Sequence, residues 1–310
     1  ARLAWEQVAL PVLAKRLAVD LMHSPHYTIS LASPVPVVTT LHDATFFSDR
    51  RLHLGTKGRF FRTWTRIALR RSVACLVPSA ATADQLVRHA GARRSKLMVA
   101  PLGVDHRIFA PPEADQVAEV RRHLALGSLE WVAFLGTLEP RKNVPALIRA
   151  FSTVCNERAH PPVLLLVGSD GWDTAIAPAL AAVPADVRVI RTGHLPVEML
   201  SAVLGGAVIV AYPSLGEGFG LPVLEAMACG AAVLTTRQLS LPEVGGDAVA
   251  YSGTEADDIA VALADLLDDP LRRSELSRLA IDRAAQFTWA ATAEAHQAAY
   301  DRAAAAGRRR

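Results

Sequence analysis

Two glutamates stand eight residues apart in the stretch GEGFGLPVLEAMACG, residues 216–230. Glu217 falls in a glycine-rich loop that follows an apolar run, and Glu225 falls early in the helix that comes next. Gly218 and Gly220 let backbone N–H groups approach a ligand closely, and the N-terminus of a helix favours negative charge. Helix capping therefore explains one carboxylate here and leaves the second unexplained.

The carboxylates and the glycines together indicate a ligand with two kinds of group. A carboxylate is tolerated beside an anion site when it accepts hydrogen bonds from neutral hydroxyls, each of which contributes about 1.5–3 kcal/mol. The glycine-rich loop and the helix N-terminus favour phosphate. A ligand in which phosphates are flanked by polyols on both sides meets both conditions, and a nucleotide sugar has that composition.

Two cations form a second candidate cluster. Arg141 and Lys142 lie in FLGTLEPRKN, residues 134–143, between an apolar run and the beginning of a helix. The positive end of the helix dipole makes cations unfavourable there, so the pair indicates an anion beside it. A solvated basic turn is the alternative, and the segment alone does not choose between the two.

Short apolar runs that alternate with helix-length segments must position these loops. Runs that are apolar on both faces and separated by helices indicate parallel sheets covered on both sides, in a doubly wound α/β architecture. Ligands of such sheets bind beyond the carboxyl ends of the strands, where both clusters fall. The predicted strands are 35–41, 75–79, 96–103, 131–137, 162–169, 187–193, 207–214 and 231–236.

The chain is predicted to form two Rossmann-like domains. A proline-containing, acidic break near 103–116 places them at residues 1–108 and 109–290, and 291–310 is predicted to be a helix with a frayed AAAAGRRR tail. The first domain holds 16 Lys/Arg and 6 Asp/Glu, and the rest of the chain holds 17 and 24, which gives charges of +10 and −7. The first domain should therefore attract anions, unless it only docks on the acidic part.

Composition excludes several classes of protein. No apolar run reaches the ~18 residues that a transmembrane helix needs. The cysteines (Cys75, Cys155 and Cys229) are scattered and odd in number, which argues against a disulfide framework and favours a reducing cytoplasm. No Asp-x-Asp triplet is present to hold a metal beside a diphosphate. No recognition motif accompanies the basic charge, so nucleic acid is not an expected partner.

Several segments, in the same order, resemble one enzyme family. EGFGLPVLEAMACG resembles the E-x7-E signature of retaining glycosyltransferase family 4, and FLGTLEPRKNVPALIRAF, LPEVGGDA and FTWAATAEAHQAAY resemble further landmarks of that family. HDATFF, GTLEPRKN and DGW are most similar to its mannosyltransferase-like branch. The resemblance implies the GT-B fold, in which two Rossmann-like doubly wound domains face each other.

This resemblance implies a role for each candidate residue. Glu217 would bind hydroxyls of the donor sugar and Glu225 those of the ribose. Arg141 and Lys142 would neutralise the leaving diphosphate, and His42, which follows a first-domain strand, would lie near the reacting centre; a capping or loop role is the alternative for His42. The other donor-binding residues that it implies are Thr137, where some relatives have Arg, Leu195, beside the base, and Gly218, Phe219, Gly220 and Leu221, through backbone N–H groups.

The implied reaction moves a hexose from a nucleotide diphosphate sugar to a hydroxyl of a glycan or lipid-linked acceptor, with retention and without a metal or other cofactor. GDP-mannose is favoured over UDP-sugars as the donor. The diphosphate would leave through an oxocarbenium-like transition state while positive groups stabilise its charge. A non-catalytic, sugar-nucleotide-binding remnant is the alternative, and an epimerase or phosphorylase of the same fold agrees with fewer of the motifs.

The first domain is expected to be truncated at its N-terminus. Members of the family open with a strand and a glycine-rich loop. The first 100 residues of this chain have only three glycines, Gly55, Gly58 and Gly91, and none lies in a Gly-x-Gly loop after a strand. A βαβ-sized piece of ~30 residues or more is therefore expected to be missing, which puts activity in question.

A basic amphipathic segment occupies residues 50–71. Phe60, Trp64, Ile67 and Ala68 share one face at helical spacing, and arginines occupy the others. The apolar face would either pack in the core or lie on an anionic membrane, as in a cytoplasmic enzyme peripheral to the inner face of the cell membrane. The core interpretation is favoured.

Overall fold

The computed structural model describes residues 2–48, 55–156 and 158–308 of the chain. Within these ranges the backbone forms two compact units, each built on a parallel β-sheet. No helix in these ranges is long and apolar enough to cross a membrane. The α/β class with two parallel sheets agrees with the fold class that the sequence predicts.

The boundaries of the units differ from the predicted domain limits. Unit 1 contains Ala1–Gly103 and Thr288–Arg310, and unit 2 contains Val104–Phe287. The division falls earlier than predicted, and the C-terminal helix is part of unit 1 instead of a separate segment. The two segments of unit 1 approach each other closely at Gly103. A Cβ atom added there would be 2.3 Å from the backbone nitrogen of Trp289.

Unit 1 is built on a sheet whose strands keep their sequence order, β1-β2-β3-β4, with every neighbouring pair parallel. The C-terminal helix, Trp289–Gly307, packs on this sheet. The remaining elements are α1 (Arg2–Arg16), β1 (Met22–Ser24), β2 (Val37–Thr40), α2 (Thr45–Ser48), α3 (Gly55–Arg71), β3 (Ala74–Val77), α4 (Ala80–Ala90), a 3-10 turn (Arg94–Lys96) and β4 (Leu97–Val99).

Side chains of β3 alternate between two buried layers, as the pleat of a strand requires. Cys75 and Val77 pack in the layer formed with α1 to α4. Leu76 packs in the other layer, with Ala299 and Ala303 of the C-terminal helix. Because both faces are covered, the strand is a continuous apolar run instead of an alternating one.

The C-terminal helix extends further than predicted. It runs to Gly307, and Ala303 is fully buried. The small alanine side chains let the helix approach the sheet closely, which keeps this part of the predicted frayed tail helical. Residues 309 and 310 lie outside the described residues.

Helix α3 uses its apolar face for the core of unit 1, as the favoured interpretation predicts. Ala68 is fully buried there, and Phe61, Trp64 and Ile67 pack against the same cluster. Phe60 is exposed, so its predicted place on the buried face is wrong, and the neighbouring Phe61 takes that place. Residues 50–54 of the predicted segment lie outside the described residues.

Unit 2 is built on a parallel sheet of order β10-β9-β8-β5-β6-β7. Its elements are α5 (Ala114–His123), β5 (Trp131–Leu135), a 3-10 turn (Pro140–Lys142), α6 (Val144–Asn156), β6 (Val163–Val167), α7 (Ile176–Ala181), β7 (Val189–Gly193), α8 (Val197–Gly205), β8 (Ile209–Tyr212), α9 (Leu221–Ala228), β9 (Val233–Thr236), α10 (Leu241–Gly245), β10 (Ala250–Ser252), α11 (Ala256–Asp268) and α12 (Pro270–Ala284).

The order of the strands reverses between β5 and β8. The chain proceeds outward from β5 to β6 and β7, then returns to place β8 on the other side of β5. Loops that follow neighbouring strands at such a reversal diverge and leave a crevice at the carboxyl edge of the sheet, where ligands of this architecture bind. The loops after β5 and β8 contain both candidate clusters.

All the predicted strands form, each within a few residues of its predicted limits. Two further strands, β1 and β10, were not predicted. Each has three residues, and each lies at the edge of its sheet. Such strands are too short to show a periodic pattern, and their sheet neighbours define them instead.

Candidate functional site

The two predicted clusters of unit 2 form a single site at the reversal point. Arg141 and Lys142 end the 3-10 turn after β5, and Glu217 lies in the loop after β8. Lys142 Nζ donates a hydrogen bond to Glu217 Oε1 over 2.8 Å, and Arg141 Nη1 forms an ion pair with Glu217 Oε2. The anion that the two cations indicated is therefore, in this structure, the carboxylate of Glu217.

Two hydroxyl groups complete the surroundings of this carboxylate. The Tyr212 hydroxyl donates to Glu217 Oε1 over 2.8 Å, and the Ser214 hydroxyl lies 2.7 Å from the same oxygen. Tyr212 is fully buried and stacks on Phe134, with ring centroids 5.8 Å apart. Lys142 also donates to the hydroxyl of Tyr212. The carboxylate thus has four donors from two separate parts of the chain, the turn after β5 and the end of β8.

The cations determine the charge state of Glu217. Burial alone would raise the pKa of its carboxyl group, but the charges of Lys142 and Arg141 outweigh that effect and lower the pKa to about 2. Burial and the neighbouring Glu217 charge raise the pKa of Tyr212 well above its usual value. At neutral pH the site therefore holds an ionised carboxylate, two cations and a neutral phenol.

Hydrogen bonds from side-chain hydroxyls to backbone carbonyls fix the loop that carries Glu217. The hydroxyl of Ser240 lies 2.8 Å from both the Glu217 and the Phe219 carbonyl oxygens. The hydroxyl of Thr236, at the end of β9, donates to the Ser214 carbonyl over 2.7 Å. These contacts position the loop from the neighbouring strand and from the segment before α10, so the geometry of the carboxylate depends on more than its own motif.

Gly220 is the point at which the loop becomes helix α9. Its φ angle is +106°, and a Cβ atom there would lie 2.8 Å from Leu241 Cδ2. A left-handed backbone angle strains any residue with a side chain. The glycine predicted here is therefore required by the backbone itself, whether or not a ligand approaches it.

Glu225 lies inside α9, half-buried, and its surroundings differ from those of Glu217. Among the described residues, none forms a hydrogen bond or an ion pair with its carboxylate. Burial raises the pKa of Glu225 to about 7, although the charge of Lys142 opposes the rise. The second glutamate of the motif is thus available to a ligand, whereas the first is fully engaged by the protein.

The other residues predicted to bind the donor lie along the same edge of unit 2. Thr137 follows β5 and is exposed, and Leu195 follows β7 and is buried. Phe219 is buried with its ring centroid 5.9 Å from that of Phe287. Gly218 lies in the loop before α9, and Leu221 is the first residue of that helix and is half-buried.

His42 lies in unit 1, just after β2, and its side chain is exposed. Its Nε2 atom is 2.7 Å from the carbonyl oxygen of Pro25. A carbonyl only accepts, so Nε2 carries the proton and Nδ1 remains as an acceptor in the neutral ring. The ring of His26, which follows the neighbouring strand β1, lies 6.1 Å from that of His42.

Tyr212 and Ser214 belong to the site, although neither was among the residues predicted from the sequence. Both stand immediately before the glutamate motif, in YPSLGE, and they are two residues apart. Two hydroxyl residues at the end of a strand that precedes a buried carboxylate were the available signal. His26, close to His42, was missed because a lone histidine in a loop gives no pattern.

Comparison with known proteins establishes the family. Residues 117–284 match the family model of glycosyl transferases group 1, and residues 1–108 match that of glycosyltransferase family 4. The chain belongs to the group 1 glycosyltransferases. The family resemblance drawn from the motifs is thereby confirmed.

Relatives in this glycosyltransferase family include mannosyltransferases. The O-antigen chain mannosyltransferase B of Escherichia coli is 28% identical over 254 residues, which cover 81% of this chain and 66% of that protein. The serotype-specific mannosyltransferase WbdA of Escherichia coli is 30% identical over 281 residues, 87% of this chain and 34% of its own length. A D-inositol 3-phosphate glycosyltransferase of Stackebrandtia nassauensis is 32% identical over 308 residues, covering 91% and 68%. The chain thus spans between about a third and about two thirds of these relatives.

Solved structures confirm the predicted GT-B fold of this glycosyltransferase. HepE of Anabaena, solved with UDP-glucose, matches with a TM-score of 0.77 and 19% identity, over 94% of this chain and 80% of that one. Sucrose-phosphate synthase of Thermosynechococcus elongatus matches with a TM-score of 0.78 and 21% identity, over 96% and 77%. At these identities the likeness establishes the fold and leaves the substrates to other evidence.

Proposed function

We propose that this chain is a retaining glycosyltransferase that moves a hexose from a nucleotide diphosphate sugar to a glycan or lipid-linked acceptor. The observation that supports the proposal is the buried cluster of Glu217, Arg141 and Lys142 at the reversal point of the unit 2 sheet. Both cations, which would bind a leaving diphosphate, are ion-paired directly with the carboxylate that would bind sugar hydroxyls.

Each group would have a distinct task in the reaction. The cations would bind the diphosphate and stabilise the negative charge that develops on it as the glycosidic bond breaks. Glu217, ionised above a pH of about 2, would accept hydrogen bonds from the hexose hydroxyls. Glu225 would accept hydrogen bonds from the ribose hydroxyls. It is available for this because its carboxylate has no hydrogen-bond partner among the described residues. The role we propose for His42, near the reacting centre, rests on the family resemblance alone.

The donor we propose is GDP-mannose in preference to UDP-sugars. Two relatives named as mannosyltransferases support this choice. The segments HDATFF and DGW, which resemble the mannosyltransferase-like branch of the family, agree with it. HepE, solved with UDP-glucose, represents the competing choice within the same fold. We propose that no metal is needed, because Arg141 and Lys142 supply the positive charge that a divalent cation would otherwise bring to the diphosphate.

Titration calorimetry with GDP, UDP and ADP in the presence of EDTA tests the donor site. We expect GDP to bind most tightly and its affinity to be unchanged when EDTA is replaced by Mg²⁺. Incubation with GDP-mannose and an acceptor mixture, followed by assignment of the anomeric configuration by NMR, then tests transfer with retention. Failure of all three nucleotides to bind would contradict the proposal. Binding without transfer would instead favour the non-catalytic remnant.

A second candidate property is attachment to an anionic surface through unit 1. A cavity of about 320 Å³ is lined by Arg66, Arg70, Arg93 and Lys96, and none of the described residues that line it has a carboxylate. The apolar face of α3 is used by the core, so attraction would depend on charge alone. Sedimentation with phosphatidylglycerol vesicles, compared with phosphatidylcholine vesicles, tests it. Equal binding to both kinds of vesicle would rule out attachment to an anionic membrane surface. The cytoplasmic location, which we propose from the three buried cysteines without disulfides, would then stand alone.

A further inference from the structure

Within unit 2, Oε1 of Glu217 already accepts from three donors, and Oε2 is paired with Arg141. A carboxylate offers about four lone-pair positions to donors. Lys142, Tyr212 and Ser214 lie 2.8, 2.8 and 2.7 Å from Oε1, and Arg141 pairs with Oε2. The side chain is 9% exposed. A sugar hydroxyl can therefore reach Oε1 only after one of its three donors has moved away, and it can reach Oε2 only beside the guanidinium of Arg141.

The four donors differ in how readily they can move. Tyr212 is held in β8 by its strand and by stacking on Phe134, and Ser214 is completely buried beside it. Arg141 and Lys142 instead have long side chains that project from a short 3-10 turn. A diphosphate carries more negative charge than one carboxylate and binds such cations through charge-assisted hydrogen bonds. The cations are thus the two donors that a ligand can draw away.

We propose that the donor diphosphate and Glu217 compete for Arg141 and Lys142, so that phosphate binding releases the carboxylate to accept the sugar hydroxyls. The inference rests on the proposed function, because it takes the diphosphate to bind at these cations. In the empty site Glu217 serves as the internal counter-ion of the pair. Once the phosphates replace it, the freed carboxylate becomes an acceptor for the hexose.

This exchange links two parts of one ligand. A free hexose carries no charge with which to displace the cations, so it meets a carboxylate whose Oε1 is saturated and whose Oε2 is held by Arg141. A ligand that carries a diphosphate creates the acceptor it needs. Recognition of the sugar then depends on recognition of the phosphates, and the dependence is reciprocal, as linkage requires.

Inorganic pyrophosphate is the probe that tests the competition without sugar or base. Glu217→Gln keeps the side-chain length and an acceptor for Tyr212 and Ser214 but removes the charge that holds the cations. We expect it to tighten pyrophosphate binding by about tenfold or more, within the usual range of coupling between sites. Glu198→Gln, an exposed residue in the first turn of α8, makes the same charge change in unit 2 and should leave the affinity at the wild-type value.

The outcomes separate the competition from the proposed function. Equal or weaker pyrophosphate binding by a Glu217→Gln chain with wild-type circular dichroism and cooperative unfolding would overturn the competition alone. Absence of pyrophosphate binding to both wild type and variant would overturn the donor-site assignment and the competition with it. If the variant does not fold, a crystal structure of the wild-type chain with pyrophosphate decides. Separation of Lys142 Nζ from Glu217 Oε1 supports the competition, and a bound pyrophosphate with the 2.8 Å contact retained overturns it.

Discussion

Lys142 Nζ lies 2.8 Å from Glu217 Oε1, and both side chains are more than nine-tenths buried. Attraction within a buried ion pair often fails to repay the cost of removing two charges from water, so such a pair is weak evidence for stability. Strongly perturbed carboxyl groups with specific charge partners are, in contrast, common at functional sites. The pair is therefore better explained by what it binds than by what it stabilises.

Replacement of Lys142 by Ala should weaken binding of the nucleoside diphosphate and leave binding of the nucleoside almost unchanged. One charge-assisted hydrogen bond to phosphate, worth about 1.5–3 kcal/mol, corresponds to a loss of roughly 10- to 150-fold in affinity. Calorimetric titration with GDP and with guanosine measures the two. Arg158→Ala, which removes a cation paired with Asp268 elsewhere in unit 2, is the control. Equal losses for GDP and guanosine would rule out a phosphate role for Lys142.

Replacement of Tyr212 by Phe should destabilise unit 2 while keeping the aromatic stacking on Phe134. The change leaves Glu217 short of one buried donor and costs about 1–3 kcal/mol in the free energy of unfolding. Urea denaturation measures the cost. Tyr251→Phe removes a hydroxyl that donates to the Gly246 carbonyl over 2.7 Å, in a less buried place, and should cost less. A Tyr212 variant as stable as wild type would show that the hydroxyl is not part of the network.

Replacement of Glu225 by Gln should stabilise the folded chain at high pH only. Burial raises the folded-state pKa of Glu225 to about 7, above its ordinary value of 4.5. Below about 4.5 the group is protonated in both states and costs nothing, whereas above about 7 the folded chain bears the full cost of a poorly solvated charge. We expect a gain on the order of 1–2 kcal/mol at pH 8, after allowance for partial exposure, that vanishes near pH 4. A gain that does not change with pH would contradict the raised pKa.

Replacement of Gly220 by Ala should distort the loop that carries Glu217. The φ angle of +106° and the 2.8 Å approach of a Cβ atom to Leu241 Cδ2 together should cost about 1–3 kcal/mol in stability and reduce nucleotide binding. Gly127→Ala is the matched control, since its φ is +59° and no atom lies within 4 Å of the added Cβ. Thermal unfolding and GDP titration of both variants provide the comparison. Losses of equal size in both would mean that the backbone angle alone matters.

Much of the site could be recognised from local sequence. The apolar runs before Arg141 and before Glu217 predicted strands, and each polar cluster was correctly assigned to the loop after one. The helix dipole also suggested an anion beside the two cations, with a solvated basic turn as the alternative. Local sequence could not show that the carboxylate of Glu217 lies beside these cations, because Glu217 stands 75 residues after Lys142.

The errors have physical causes that a pattern of residue types does not contain. Phe60 and Phe61 are both aromatic, and only packing of α3 on the core of unit 1 decides that Phe61 is the one partly buried against it. The alanines of the C-terminal helix look like a frayed tail by composition. They form helix because a sheet face in unit 1 buries Ala299 and Ala303.

The sequence by itself determined the parallel α/β class, the family, and which loops carry carboxylates, cations and glycines. Those features follow from apolar periodicity, from backbone angles that only glycine tolerates, and from motifs short enough to read along the chain. Tertiary structure alone decided that β8 returns to lie beside β5. That pairing joins two distant loops into one buried network, formed by Glu217, Lys142, Arg141, Tyr212 and Ser214. No single segment could predict the pairing, because the order of strands in a sheet depends on how whole elements pack together.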